Sequence, residues 1–114
     1  MKKSKEFLEN VSRLNRAADL MMEAADGVRI PQVCFARAMR TILDPNSTKI
    51  IKGDNDRELI YNVMQMILEF IIFNPEITSD WVIQRNFCLP ALTDSEKNEI
   101  DVFIKKVRKE NNVK

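Results

Sequence analysis

Residues 59–73 read LIYNVMQMILEFIIF and form a long apolar run near the middle of the chain. Placed on a helix at about 100° per residue, the polar positions of this region fall on one narrow stripe, and nearly all of the remaining circumference is apolar. The stripe consists of Glu58, Asn62, Gln65 and Glu69. The pattern predicts a buried central helix around which the other elements pack.

Two other structures for this run are disfavoured by its length and its polar residues. A transmembrane helix needs about 20 predominantly apolar residues, and this run is shorter and contains Asn62, Gln65 and Glu69. A buried strand would be shorter, and its polar residues would recur at a spacing of 2 rather than 3 or 4. We therefore expect a helix in a protein without a membrane segment.

The length of 114 residues indicates a single domain, residues 1–114, that buries enough surface to fold without a metal ion or a disulfide. Cys34 and Cys88 lie far apart in apolar helical patterns, which is typical of buried reduced thiols. Residues 1–16 are charged and lack the apolar segment of a signal peptide. We expect a cytoplasmic protein.

The absence of histidine restricts the chemistry of the chain. It excludes Ser-His and Cys-His nucleophiles and imidazole metal ligands. The chain also has only two glycines, too few for a glycine-rich phosphate-binding loop. Asp54, Asp56 and Glu58 alternate like the start of a calcium-binding loop, but Leu59 and Gln65 stand where that loop requires glycine and glutamate. We expect no enzymatic activity, no cofactor and no metal site.

Helix start and stop signals predict an all-α fold, a compact bundle of about five helices. Gly27 ends a first helix over residues 4–26, and Pro31 begins a second over residues 31–43. After an irregular linker over residues 44–54, capping-box patterns open the central helix at Asn55 and the last helix at Thr93. A short fourth helix over residues 80–89 lies between them, and the tail over residues 111–114 should fray.

The first two helices each have an apolar face. The seam of the first helix has a heptad-like spacing, which is found both in coiled-coil dimers and in antiparallel helices packed inside one domain. We favour packing inside one domain. Its residues are Phe7, Val11, Leu14, Ala18, Met21 and Ala25. The inward face of the second helix is predicted to hold Cys34, Phe35, Ala38, Met39 and Ile42, with Val33, Arg37 and Arg40 pointing outward.

Basic residues are concentrated in two parts of the chain although its net charge is only +1. They either complement helix dipoles and acidic neighbours or form one basic face. That candidate basic face comprises Arg37, Arg40, Lys49, Lys52, Lys105, Lys106, Arg108 and Lys109. We expect charge reversal of Arg37 and Arg40 to leave the fold intact.

A basic face would fit a nucleic-acid-binding regulator, and residues 23–40 resemble two helices joined by a short turn. The second of these helices offers only Gln32, Arg37 and Arg40 for reading bases, and the pI of about 7.7 lacks a basic excess. Nucleic-acid binding is therefore the alternative function.

The preferred function is a non-catalytic protein-interaction module, such as an adaptor, an inhibitor, or an antitoxin-like or immunity-like protein. Because the other helices are too few and too short to cover the central helix, we expect a protein partner and in particular a homodimer. The alternative is a monomer in which Ile50, Ile51 and Trp81 close the gap. The candidate interface consists of Met64, Ile67, Ile71 and Trp81.

Overall fold

The computed structural model describes residues 4–24, 30–43, 50–85 and 93–112. Within these ranges the chain forms five helices and no strand, which confirms the predicted all-α bundle. Its extents of 36 × 33 × 28 Å are those of a compact body. The helices are α1 (Lys5–Ala24), α2 (Pro31–Ile42), α3 (Asp56–Phe73), α4 (Ser79–Arg85) and α5 (Asp94–Glu110).

The N-terminal caps of α3 and α5 arise from local sequence. At α5, the Thr93 hydroxyl accepts the Glu96 amide at 3.2 Å and the Glu96 carboxylate accepts the Thr93 amide at 3.0 Å, which confirms the predicted capping box. At α3, Asn55 Oδ1 accepts the Glu58 amide at 2.9 Å. The Glu58 carboxylate lies 3.4 Å from the Asn55 side-chain amide, so only the first half of the predicted box is formed.

The centre of the bundle is α2, which packs against each of the other four helices. Its small residues Cys34, Ala36 and Ala38 are buried and allow neighbouring helices to approach closely. The prediction that Val33 points outward is wrong: Val33 is completely buried, because a helix covered on every side has no free outer face.

The helix α3, predicted to be buried apart from one polar stripe, has most of its apolar residues in the core or packed against it, although α2 rather than α3 contacts all the other helices. Its buried residues form a single line of four, one per turn, while Tyr61 is 61% exposed and Phe73 is 76% exposed. That line consists of Leu59, Val63, Ile67 and Ile71. The helix therefore faces the core with most of its apolar surface, and its exposed large apolar side chains are those of Tyr61 and Phe73.

The helix α1 packs inside the domain against α2 and α3, as favoured from its seam. Phe7, Leu14, Ala18 and Met21 of the seam are buried. Ala25 lies outside the described residues.

A buried asparagine ties the segment before α3 to α1. Asn10 Oδ1 accepts the amide of Ile51 at 2.8 Å, and the Ile51 side chain packs against the core. Ile50 remains 37% exposed. The side-chain amide of Asn62 in α3 also donates to the carbonyl of Lys52. The end of the linker is thus fixed between α1 and α3.

Several predicted boundaries lie outside the described residues, including Gly27, most of the linker, Cys88 and the end of the fourth helix beyond Arg85. The helix α5 ends at Glu110, and Asn111 donates its amide to the Val107 carbonyl. Asn112 adopts a φ of 57°, a left-handed conformation common after helix ends. Residues 111 and 112 are thus an ordinary helix stop, and residues 113 and 114 are outside the described part.

Candidate protein interface

Two of the four predicted interface residues are buried in the structure. Ile67 and Ile71 are completely buried in the core of their own chain, so they are not accessible to a second chain and this part of the prediction is wrong. Met64 is partly buried and packs against the core. The prediction failed because the sequence shows how wide the apolar arc of α3 is, but not which part of that arc the neighbouring helices cover.

Trp81, the fourth predicted interface residue, is engaged within its own chain. Its ring lies 5.5 Å from the ring of Phe70, and the Arg85 guanidinium lies 4.2 Å from the Trp81 centroid. Arg85 also donates a hydrogen bond of 3.2 Å to the Trp81 carbonyl. Aromatic and cation–π contacts of this kind hold the ring at the edge of the core. Trp81 therefore closes the gap between α3 and α4.

The side of α3 that faces away from its buried line carries an apolar row that we call the outer stripe. Its residues recur at spacings of 3, 4 and 4, lie within about 80° of one another, and face roughly 120° away from the buried line. They are Tyr61, Met64, Leu68 and Ile72. Tyr61 is 61% exposed, whereas the other three are partly buried and pack against the core, so the apolar surface that the outer stripe offers to a partner is mainly that of Tyr61.

Sequence reasoning missed Tyr61 as a surface residue. The available signal was Tyr61, an amphipathic residue beside the polar stripe, whereas the opposite side of α3 carries the β-branched Val63 and Ile67.

The basic residues of α2 face α1 rather than solvent. The Arg37 side chain is 15% exposed and donates to Asp19 Oδ1 at 3.0 Å and to Met22 Sδ at 3.4 Å. Arg40 donates to Asn15 Oδ1 at 3.1 Å. Both arginines therefore join α2 to α1.

The other candidate basic residues lie elsewhere. Arg108 points inward and binds backbone carbonyls between α3 and α4, while three lysines are exposed on α5, namely Lys105, Lys106 and Lys109. Lys52 is exposed before α3, and Lys49 lies outside the described residues. Three of the candidate residues, Arg37, Arg40 and Arg108, are therefore bound within the chain and do not contribute free charge to a basic face.

A shallow cleft between the start of α2 and α5 has a cavity volume of about 10 Å³, far below the roughly 300–1,000 Å³ of ordinary ligand pockets. It is lined by Ile30, Pro31, Cys34, Glu96, Glu99 and Ile100. The described part of the chain contains no group of three or more acidic, cysteine or histidine residues placed to hold a metal ion.

Comparison of the chain with protein-family models, with curated proteins and with solved structures gives no match. Among the described helices, none combines the length and the apolar character needed to cross a membrane. The geometry of the outer stripe is therefore the principal guide to function.

Proposed function

We propose that this protein is a non-catalytic interaction module that self-associates through the outer stripe of α3. The observation that carries the proposal is the exposure of Tyr61, at 61%, in line with the partly buried Met64, Leu68 and Ile72. An exposed aromatic side chain beside partly buried apolar neighbours is a typical anchor for a protein partner. We also keep the predicted cytoplasmic location.

The size of the outer stripe predicts a weak, reversible complex. The helix α3 has 18 residues and is therefore about 27 Å long. One face of a helix of this length buries less than the roughly 1,200–2,000 Å² of a standard protein interface. We expect a dimer in equilibrium with the monomer, with a dissociation constant on the order of micromolar or weaker.

Sedimentation velocity at protein concentrations from about 1 to 300 µM tests the proposal, because a reversible dimer dissociates into monomers as the concentration falls. The wild-type mass should rise toward twice the monomer mass of 13.3 kDa. Leu68→Glu should keep the chain monomeric at every concentration, because a carboxylate would lie unpaired in the apolar contact. Gln65→Glu is the matched control: it adds the same charge one position outside the outer stripe, at an exposed site, and should leave association nearly unchanged.

A wild-type mass of 13.3 kDa throughout the range would overturn the proposal. Circular dichroism of Leu68→Glu must show a wild-type helical spectrum, so that loss of association is separated from unfolding. Ile71→Glu provides the contrast, since Ile71 is completely buried and this change should unfold the chain rather than dissociate a dimer.

Nucleic-acid binding remains the second candidate, and the described geometry does not favour it. The helix that would read bases, α2, is the most enclosed of the bundle, and Arg37 and Arg40 already bind α1. Salt-dependent retention on heparin or duplex DNA would favour this candidate instead, because phosphate contacts weaken steeply with salt.

A further inference from the structure

We infer that α3 of each copy packs against α5 of the other copy, so that an exposed acidic surface with two aromatic rings meets an exposed basic surface. This inference rests on the proposed self-association through α3, and it names the surface of the second copy that covers Tyr61. It comes from the charges of residues that are exposed on the two helices.

The side of α3 directly opposite its buried line carries exposed residues along the whole helix. They recur at spacings of 3, 4, 4 and 4 and lie within about 120° of one another. We call them the acidic row: Glu58, Tyr61, Gln65, Glu69 and Phe73. The row combines two carboxylates with two large rings, since Tyr61 is 61% exposed and Phe73 is 76% exposed. The exposed cation Arg57 lies about 40° beyond the Tyr61 edge, so the row itself is negatively charged.

The exposed side of α5 is basic in its C-terminal half. Val102 is 56% exposed, and three exposed lysines lie with it within about 100° on the helix surface. We call this set the basic row: Val102, Lys105, Lys106 and Lys109. Glu99 and Glu110 lie along one edge, roughly 60–80° from Val102. None of the three lysines forms an ion pair with another described residue, so their charges are available to a partner.

The charges of the two rows select between the possible contacts of two copies. Packing α3 against α3 brings two acidic rows together, and packing α5 against α5 brings two basic rows together, so both contacts set like charges side by side. Packing α3 against α5 sets carboxylates against lysines and places the rings of Tyr61 and Phe73 beside the exposed Val102. Opposite charges favour the correct partner surface, whereas like charges penalise the wrong one.

The positions of α3 and α5 in the fold allow this contact to form twice. The two helices pack against each other within one chain, so the acidic and basic rows belong to neighbouring helices. A two-fold axis can therefore set each row against the other row of the second copy. The same contact then occurs twice, and the assembly closes as a dimer.

Charge reversal tests the pairing in the full chain. Glu69→Lys and Lys105→Glu, each alone, should weaken self-association about tenfold, because each change makes both copies of the contact repulsive. Mixing the two variants should restore association at the wild-type level. In the mixed dimer Lys at position 69 faces Glu at position 105, and the second contact is the wild-type one. Sedimentation velocity gives the two homodimer affinities, and energy transfer between differently labelled chains measures the mixed pair.

Matched controls reverse exposed charges on α1, outside both rows. Lys5→Glu and Glu23→Lys should each change association less than about twofold. Gln65→Glu adds an anion within the acidic row, so its small effect should be to strengthen association, by less than about twofold. Circular dichroism of every variant should show the wild-type helical spectrum.

The outcomes separate this inference from the proposed function. If the wild type dimerises and Leu68→Glu prevents it, but Lys105→Glu associates normally or the mixture is not restored, the pairing of α3 with α5 is wrong and the proposed self-association stands. Normal association of Lys105→Glu together with a changed affinity of Glu69→Lys would show that α3 packs against α3 instead. A monomeric wild type would overturn both proposals.

Discussion

Arg108 near the end of α5 donates a hydrogen bond of 3.0 Å from Nη2 to the carbonyl of Ile77, in the link between α3 and α4. The same nitrogen lies 3.2 Å from the carbonyl of Asn74 and 3.1 Å from that of Pro75. Carbonyls at and beyond a helix end lack partners within the helix, and a cation there also complements the helix dipole. One guanidinium thus fixes the end of α3 and the start of the path to α4.

Replacing Arg108 by methionine should lower the free energy of unfolding by about 2–3 kcal/mol, because several carbonyls lose a charged donor while the side chain keeps a similar length. Urea denaturation measures the change. Lys106→Met is the matched control on the exposed side of α5 and should stay within about 0.5 kcal/mol of wild type. Equal losses for the two variants would contradict the role assigned to Arg108.

Arg37→Glu should destabilise the fold by about 2–3 kcal/mol, contrary to the expectation from sequence that this site is free surface. The new carboxylate would lie beside Asp19 at a position where the native side chain is only 15% exposed. Arg57→Glu makes the same change at an exposed site and should cost less than about 0.5 kcal/mol in the monomer. Thermal or urea unfolding at low protein concentration, where the monomer dominates, compares them. An Arg37 variant as stable as the Arg57 variant would support the free basic face.

Sequence patterns correctly predicted the helix starts that depend on interactions between neighbouring residues. The capping box at Thr93 and Glu96 and the first turn at Pro31 depend on neighbouring residues, so their patterns located the starts of α5 and α2. Arg108 shows the opposite case, since its carbonyl partners stand 31 to 34 residues earlier in the chain. The positive charge of Arg108 is evident from the sequence, but the carbonyl groups that it binds are not.

The identity of the central helix could not be predicted from apolar content alone. The helix α2 is central because its short side chains, among them Ala36 and Ala38, admit neighbours on all sides, whereas the more apolar α3 leaves Tyr61 uncovered. The apolar arc of α3 is wider than its neighbours can cover. Which part remains exposed depends on how α1, α2 and α5 pack against it, and this moved the candidate interface from Ile67 and Ile71 to the outer stripe.

Gly53 is required by the close approach of the linker to α3. A Cβ atom added there would lie 2.6 Å from Leu59 Cα and 2.8 Å from Leu59 N, and this helical backbone has little room to move. Gly53→Ala should therefore destabilise the domain by about 1–3 kcal/mol, although alanine is only one methyl group larger. Lys52→Ala, at the exposed neighbouring position, is the control and should stay within about 0.5 kcal/mol of wild type in urea denaturation. If Gly53→Ala matches this control, the linker does not pack against Leu59 as closely as described, and the anchoring of Ile51 by Asn10 must tolerate a shift of the segment.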